Sequence, residues 1–373
     1  MKFLLIASYP RSILNFRKEL IRKIQSKSNE VHVAAPNILI NSSISNQLNK
    51  MGVTVHEVSV NRTSFNPIND VLTFIQLFGL IKMIRPTYVL AYTIKPVIYG
   101  MLAAYLAKVP KPFALITGLG YGFTGKAFGL KKVLRIVLNN MYKFALRGSS
   151  KIFFQNKDDK VLFEKLNISP VATKNIVVNG SGVNLKEYSI APLPSEVSFL
   201  MISRLLINKG VREYALAAKE LKRKYPKVDF KLVGWIDENP DAIGQTELDE
   251  WVIDGTISFL GELKDVRPAI ANTSIYVLPS YREGIPRTVL ESMAMGRPII
   301  TTDVPGCRET VENGKNGFLV PLKDSTALAN VMEKFIKNPE IIEKMGKESR
   351  KIAEEKYDVH KVNDEMLKGM GIT

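Results

Sequence analysis

The chain of 373 residues has one cysteine, Cys307, and three histidines, His32, His56 and His360. A single thiol can form neither an internal disulfide nor a multi-cysteine metal site, which fits a reducing compartment. The scattered histidines supply no clustered ligand set and read as structural or exposed side chains. Long apolar runs are missing as well. The run at residues 3–7 is too short for a signal-peptide core, and the longest later one, 71–84, is interrupted by Lys82, so no membrane crossing is expected. Acidic residues are scarce in one half only. Residues 1–190 hold 26 Lys+Arg against 8 Asp+Glu, a net of +18, whereas residues 191–373 hold 26 against 28, a net of −2, and the two sum to the +16 of the chain. Such asymmetry points the first half toward something anionic: nucleic acid, acidic lipid or a phosphorylated substrate.

What remains is ordinary for a folded enzyme. Hydrophobic residues make up 46% and charged residues 24%, which excludes disordered, collagen-like and polytopic membrane classes. The length calls for two domains. Strand-length apolar runs at 3–7, 31–34, 53–58, 88–92, 113–116 and 152–155 alternate with helix-period segments such as 16–24 and 97–108. The grammar restarts with runs at 199–203, 230–234, 257–260, 275–279 and 298–301, and with helical patterns at 211–224, 289–295 and 326–336. Short continuous strands separated by helices indicate parallel sheets covered on both faces. Residues 180–198, with Pro192 and Pro194 and little periodic apolar content, read as the linker. The expected fold is therefore α/β, with two doubly wound Rossmann-like domains facing across a cleft. Their limits are 1–185 for an acceptor- and membrane-facing domain and 196–355 for a donor domain, with 356–373 a segment returning to the first. Ligands in such folds bind beyond the carboxyl ends of the strands.

Three pieces of the second half fall there. Ser203-Arg204 and Lys209-Gly210 put two cations beside a helix start, a receptor suited to a diphosphate. In the stretch from Ser280 to Glu291, Gly284 allows close backbone approach, and Pro286 suits a helix entry. Glu283 in the turn can accept sugar hydroxyls, and Glu291 inside the helix can reach a second diol. Asn313-Gly314 with Gly317 is a turn feeding a short apolar strand. Taken singly, each reads as solvated loop or turn chemistry.

In order and spacing, Arg204…Lys209, Glu283-x7-Glu291, Gly296-Arg297-Pro298-Ile299-Ile300 and Asn313-Gly314…Gly317 resemble the donor domain of family-4 retaining glycosyltransferases, which have the two-domain GT-B fold. In the first half, Ala91-Tyr92-Thr93-Ile94-Lys95-Pro96 with Gly100, Leu115-Ile116-Thr117-Gly118-Leu119-Gly120, and Val178…Gly182-Val183-Asn184 are similar to bacterial transferases that extend sugars on undecaprenyl diphosphate. The resemblance implies a UDP-sugar donor, an N-acetylhexosamine or galactose transferred with retention, and a polyprenyl-diphosphate-linked saccharide acceptor in surface-glycan or N-glycan assembly. It gives Arg204, Lys209 and Glu283 the catalytic roles and adds Gly284, Ile285, Pro286 and Glu291 to donor binding. Lys95, Gly118 and Gly120 fall on the acceptor side. Many family members carry a histidine near the reacting sugar. The 92–96 stretch has Lys95 instead, so no catalytic histidine is assigned.

No Asp-x-Asp follows a strand and no His/Cys cluster occurs, so neither a metal nor a cofactor is expected. Gly120-Tyr121-Gly122-Phe123-Thr124-Gly125 spells a dinucleotide fingerprint, but it lies deep in the domain and lacks the acid expected about 20 residues on. The segment 126–147, with six basic and no acidic residues, suits either the surface of an anionic leaflet or a basic-edged core helix. The expected location is cytoplasmic, peripheral to the inner face of the membrane. Two other readings stand beside the transferase: a UDP-sugar epimerase of the same shape, and a polyanion-binding protein. No nucleic-acid partner is expected, because no recognition motif supports one.

Overall fold

A computed structural model describes all residues except 28, 62–65, 120–128, 171–172, 238, 240 and 373, and leaves out the side chains of Leu130 and Lys131. The chain divides into two compact units, Met1–Ser181 with His360–Thr373, and Gly182–Val359.

The first unit runs β1 (Lys2–Ile6), α1 (Pro10–Gln25), β2 (Glu30–Ala35), α2 (Ser42–Lys50), β3 (Thr54–Glu57), α3 (Pro67–Ile84), β4 (Tyr88–Tyr92), α4 (Met101–Leu106), β5 (Lys111–Ile116), α5 (Leu130–Ala145), β6 (Lys151–Phe154), α6 (Lys157–Lys165) and β7 (Lys174–Val177). Its seven strands form a parallel sheet in the order β3-β2-β1-β4-β5-β6-β7. The central strands β1 and β4 bury nearly every residue, as expected for strands covered on both faces. One core layer gathers Leu4, Ile6, Val89 and Phe154, and the opposite one gathers Phe3, Leu5, Leu90 and Phe153. The alternation is the period-2 geometry of the strand.

The second unit runs β8 (Ser198–Ile202), α7 (Val211–Lys224), β9 (Asp229–Val233), α8 (Gln245–Ile253), β10 (Ser258–Phe259), α9 (Arg267–Ala271), β11 (Ile275–Leu278), α10 (Arg287–Ala294), β12 (Ile299–Thr302), β13 (Gly317–Val320), α11 (Ser325–Lys337) and α12 (Glu340–Lys356). Six parallel strands take the order β10-β9-β8-β11-β12-β13. A last helix, α13 (Val359–Met370), belongs to the first unit from His360 onward, where Met366, Leu367 and Met370 join its core. In both sheets the strand order reverses beside the unit's first strand, at β1/β4 and at β8/β11. Those are the crevices in which open α/β sheets bind ligands.

Two elements depart from the sequence reading. The edge strand β7 carries only half-buried residues after Lys174, so it shows no continuous apolar run. The helix α3 begins at Pro67, where the side chain of Asn66 accepts from the Ile68 amide at 3.0 Å. Its 18 residues have a mean hydropathy of 1.3, long and apolar enough to cross a bilayer by length and composition alone. The single Lys82 does not interrupt it. Asp70, Thr73, Leu77, Ile81 and Ile84 form its buried face, and Leu77, Ile81 and Ile84 pack into the core of the first unit.

Candidate active site

The second unit's sequence-predicted residues lie on loops and helix starts at the carboxyl end of its sheet. After β8 the chain makes a short turn, Ile207–Lys209, and enters α7 through Gly210. Gly210 has φ +77°, and a Cβ there would sit 2.1 Å from the Pro279 carbonyl, so only glycine lets this loop close against the end of β11. The Tyr281 amide donates back to Asn208 O at 2.9 Å, tying the two loops together.

Across this junction Lys209 Nζ meets Glu283 Oε1 at 2.5 Å, with both side chains largely buried. The same Oε1 accepts from Ser280 Oγ at 2.7 Å. The Glu283 amide donates to Pro305 O at 3.0 Å. Gly306, at φ +83°, lies so close that a Cβ would come within 2.2 Å of the Glu283 carbonyl. The glutamate's backbone is thus clamped from a neighbouring loop while its carboxylate is held by a cation and a hydroxyl.

Gly284, Ile285 and Pro286 are buried and lead into α10. No side chain caps that helix at Pro286. Its first residue, Arg287, bonds Glu291 one turn later at 3.0 Å. Glu291 is buried, and burial pushes its carboxyl above the usual carboxylate range, opposed by the Arg287 charge and a hydrogen bond with Tyr188. Arg204, just past β8, bonds Asp237 Oδ2, beyond β9, at 2.8 Å. Thus the predicted cations are ion-paired rather than loosely solvated. Asp237, Ser280 and Tyr188 complete a site whose sequence signal was only their place in loops next to the motif residues.

Cys307 lies buried nearby, its thiol pushed up to about 12 by burial and by the charge of Glu283, so it stays protonated at neutral pH. Arg297, part of the motif set, is structural. It is buried and donates to the carbonyls of Ile270, Ala191, Met295, Pro192 and Ala271, pinning the 191–192 stretch to the unit. Asn313 likewise serves its turn, accepting from the Leu319 amide at 3.0 Å.

In the first unit, Lys95 follows β4 and is buried, and its Nζ donates to Asp70 Oδ1 of α3 at 2.6 Å. Asp70 has no motif and only the structure pairs it with Lys95. At the β1/β4 crevice, Ser8 Oγ and Thr93 Oγ1 lie 2.8 Å apart, and Ser12 Oγ meets the Tyr92 hydroxyl at 2.8 Å. Thr93 has φ +70°, a strained conformation for a β-branched residue. Gly118 follows β5 with φ +127°, while Gly120 and the match at 120–125 lie outside the described residues. His32 and His56 stack on adjacent strands with Nδ1 and Nε2 3.0 Å apart. Among the described residues no group of three or more His, Cys, Asp or Glu side chains is placed to hold a metal.

Comparison with known proteins covers the same ground. A family of type-4-like glycosyl transferases matches residues 6–156, and the family of group 1 glycosyl transferases matches residues 196–338. The N,N'-diacetylbacillosaminyl-diphospho-undecaprenol alpha-1,3-N-acetylgalactosaminyltransferase of Campylobacter jejuni is 29% identical over 371 residues, spanning 96% of this chain and 95% of its own. The UDP-Gal:alpha-D-GlcNAc-diphosphoundecaprenol alpha-1,3-galactosyltransferase of Escherichia coli is 25% identical over 76% of this chain and 74% of its own. Among solved structures, Anabaena Alr3699/HepE in complex with UDP and glucose superposes over the whole of both chains with a TM-score of 0.77 at 18% identity. With a family match in each unit and this architecture, the chain belongs to the group 1/4-like glycosyltransferases and has the GT-B fold.

Proposed function

We infer that this glycosyltransferase moves a hexosyl group, an N-acetylhexosamine or a galactose, from a UDP-sugar to a saccharide carried on polyprenyl diphosphate. Transfer retains the α configuration and needs no metal. The acceptor class rests on the two relatives that act on undecaprenyl-diphosphate-linked sugars and the donor on the UDP in the Anabaena complex. The observation that carries the reading is the Lys209–Glu283–Ser280 cluster at the β8/β11 crevice, with Arg204 beyond the end of the same β8.

The transition state resembles an oxocarbenium ion parting from a diphosphate, so negative charge grows on the leaving oxygens. Arg204 and Lys209 would carry that charge, and one such preorganised donor is worth roughly 3–4 kcal/mol of barrier. Each is already positioned by a carboxylate. A diphosphate, with more charge than either carboxylate, takes over the cations and leaves Glu283 to accept the donor sugar's hydroxyls. Gly284, Ile285 and Pro286 bring the backbone up to the donor, and Glu291 binds the ribose diol. Glu283 is not a nucleophile in this scheme: its carboxylate binds the donor sugar's hydroxyls. Attack comes from the leaving-group face, with the departing phosphate taking the acceptor's proton. Lys95 and Gly118 belong to the acceptor side, and the basic first half meets an anionic membrane surface peripherally.

The test is UDP release by the purified chain over a panel of UDP-sugars, with EDTA and a polyprenyl-diphosphate-linked saccharide. Acceptor-dependent release that survives EDTA, with an α-linked product, supports the reading. Release that EDTA abolishes, or an inverted product, overturns the mechanism. Interconversion of UDP-sugars without acceptor would make the chain an epimerase.

A further inference from the structure

The clamp on Glu283 is itself held. Pro305, whose carbonyl accepts from the Glu283 amide, and Gly306, packed against the Glu283 and Gly284 carbonyls, lie in the turn of residues 303–310 that follows β12. Two bonds brace this turn: Arg308 Nε meets Asp303 Oδ1 at 2.7 Å, and Thr310 Oγ1 donates to Cys307 O at 2.7 Å. A third reaches its middle. The Gly306 amide donates to Glu309 Oε2 at 2.8 Å, and Glu309 belongs to none of the motifs that carry the resemblance. Gly306 has no room for a Cβ, so only its backbone can press on Glu283. A carboxylate accepting a backbone N–H makes the stronger kind of hydrogen bond, and Glu309 fixes that backbone with one.

The main chain of Glu309 has other partners. Its carbonyl accepts from the Tyr357 hydroxyl and from Lys356 Nζ, the latter at 3.0 Å. Tyr357 is fully buried in the core of the second unit, and burial together with the charges of Glu309 and Glu312 pushes its phenol far above the ordinary range, so it stays a donor. The Tyr357 carbonyl accepts from the Val183 amide at 2.8 Å, and the Val183 carbonyl accepts from the Val359 amide at 3.0 Å. Those bonds knit together the two stretches by which the chain enters and leaves the second unit, at Gly182 and Val359. The packing there is close: a Cβ on Gly182 would lie 2.5 Å from Val359 Cα. The side chain and the carbonyl of one residue thus join the clamp on Glu283 to both crossings.

We propose that Glu309 is a positioning residue for transfer: through the Gly306 amide it sets Glu283 against the donor sugar, and through Tyr357 it ties that setting to the paired crossings of the chain. The inference rests on the donor role given to Glu283 above. The UDP moiety, held by Arg204, Lys209 and Glu291, does not depend on Glu309.

Two substitutions separate the bond from the charge. Glu309→Ala removes the acceptor of the Gly306 amide and should lower kcat/KM for the UDP-sugar about tenfold, the scale of one hydrogen bond to a charged group. Its Kd for UDP alone should stay within about twofold, as for an independent site. Glu309→Gln keeps a neutral acceptor, with roughly half the strength of the bond, and should lose only about threefold. In the Glu283→Ala background, Glu309→Ala should cause no further loss. Amide exchange followed by mass spectrometry tests the link to the crossings without any turnover. Tyr357→Phe removes one hydroxyl and should speed exchange in peptides around Val183 and Val359, and also in the 303–310 turn and at Glu283.

Wild-type kinetics in Glu309→Ala overturn the proposal, as do equal losses in the Ala and Gln variants. UDP affinity that falls as far as kcat/KM overturns it too, because the damage is then general. A further loss in the Glu283→Ala background overturns the route through Glu283. Faster exchange confined to the crossings in Tyr357→Phe overturns the link. If the wild-type chain transfers no sugar, the functional reading fails by itself. Exchange that spreads from the crossings to the turn then still supports the link, and exchange confined to the crossings still overturns it.

Discussion

The two sheets reverse strand order at equivalent places, yet the crevices are furnished differently. At β8/β11 the loops carry ion pairs that a ligand can reach, Lys209–Glu283 and Arg204–Asp237, whose side chains keep between 14% and 31% of their exposure. At β1/β4 the charge is sealed in. Lys95 and Asp70 keep 7% and 11%, and the hydroxyls near the strand ends are paired among themselves, Ser8 with half-buried Thr93 and Ser12 with Tyr92, with Ser8, Ser12 and Tyr92 buried. A charged diphosphate calls for counter-charges that are positioned yet partly solvated. In the first unit the buried ion pair and the paired hydroxyls hold the scaffold. On the proposed reading, the difference separates a pair whose main role is chemistry from one whose main role is stability.

Breaking each pair should therefore read out differently. Removing one partner of a buried pair strands the other charge, so Asp70→Ala should destabilise the first unit by about 3–5 kcal/mol. Chemical denaturation should show it, and Lys95→Met added to Asp70→Ala should recover much of the loss. If the single variant unfolds at the wild-type midpoint, the pair is not holding the scaffold. Lys209→Ala should instead cut kcat/KM by about 10²–10³-fold, the size expected for one lost preorganised donor. Its unfolding midpoint should move far less than that of Asp70→Ala, since an ion pair with residual solvation contributes less to stability. Glu283→Ala should behave in the same way. Transfer at the wild-type rate by either folded variant would erase the contrast between the crevices.

A third variant probes the clamp rather than the charge. Gly306→Ala must push its new Cβ away from the Glu283 and Gly284 carbonyls while leaving both carboxylate partners in place. Strain at a positive-φ glycine with a backbone clash costs of order 1–3 kcal/mol. Part of that should appear as a loss in kcat/KM of about tenfold, smaller than for Lys209→Ala. Wild-type kinetics would show that the turn tolerates the shift and that Glu283 is placed by its side chain alone.

These contrasts also explain what the sequence could reveal. Local signals sufficed for the central strands, because burial on both faces forces continuous apolar runs, and β1, β4, β8 and β11 appear as such. They failed for β7, whose half-buried edge has no such run. Lys209 and Glu283 were recognisable because they sit in ordered motifs, although 74 residues separate them. Their pairing was not, since it depends on how α7 and β11 stack. Asp70 was invisible for the same reason: a lone acid in an apolar helix carries no mark of the lysine 25 residues later that neutralises it. Arg297 shows the opposite error. It travels with the motif, yet its five carbonyl partners make it a strut.

The smallest effect concerns Glu291, and it sharpens the comparison within one crevice. Burial raises its carboxyl above the usual carboxylate range, and the Arg287 charge and the Tyr188 hydroxyl only partly offset that. The folded state then holds this proton more tightly than the unfolded chain does. Its contribution to stability is fully present below the ordinary glutamate value and is lost as pH rises through the higher folded value. Glu291→Gln removes the titration. Between mildly acidic and neutral pH, the wild type should therefore lose stability relative to the variant, a trend that thermal unfolding across pH can follow. At neutral pH the variant should be as stable as the wild type or slightly more so, yet bind UDP more weakly, because an amide accepts a ribose diol less well than a carboxylate. A stability difference that does not change with pH would mean that Arg287 and Tyr188 fully compensate the burial. The carboxylate would then be held ready at no cost to the fold.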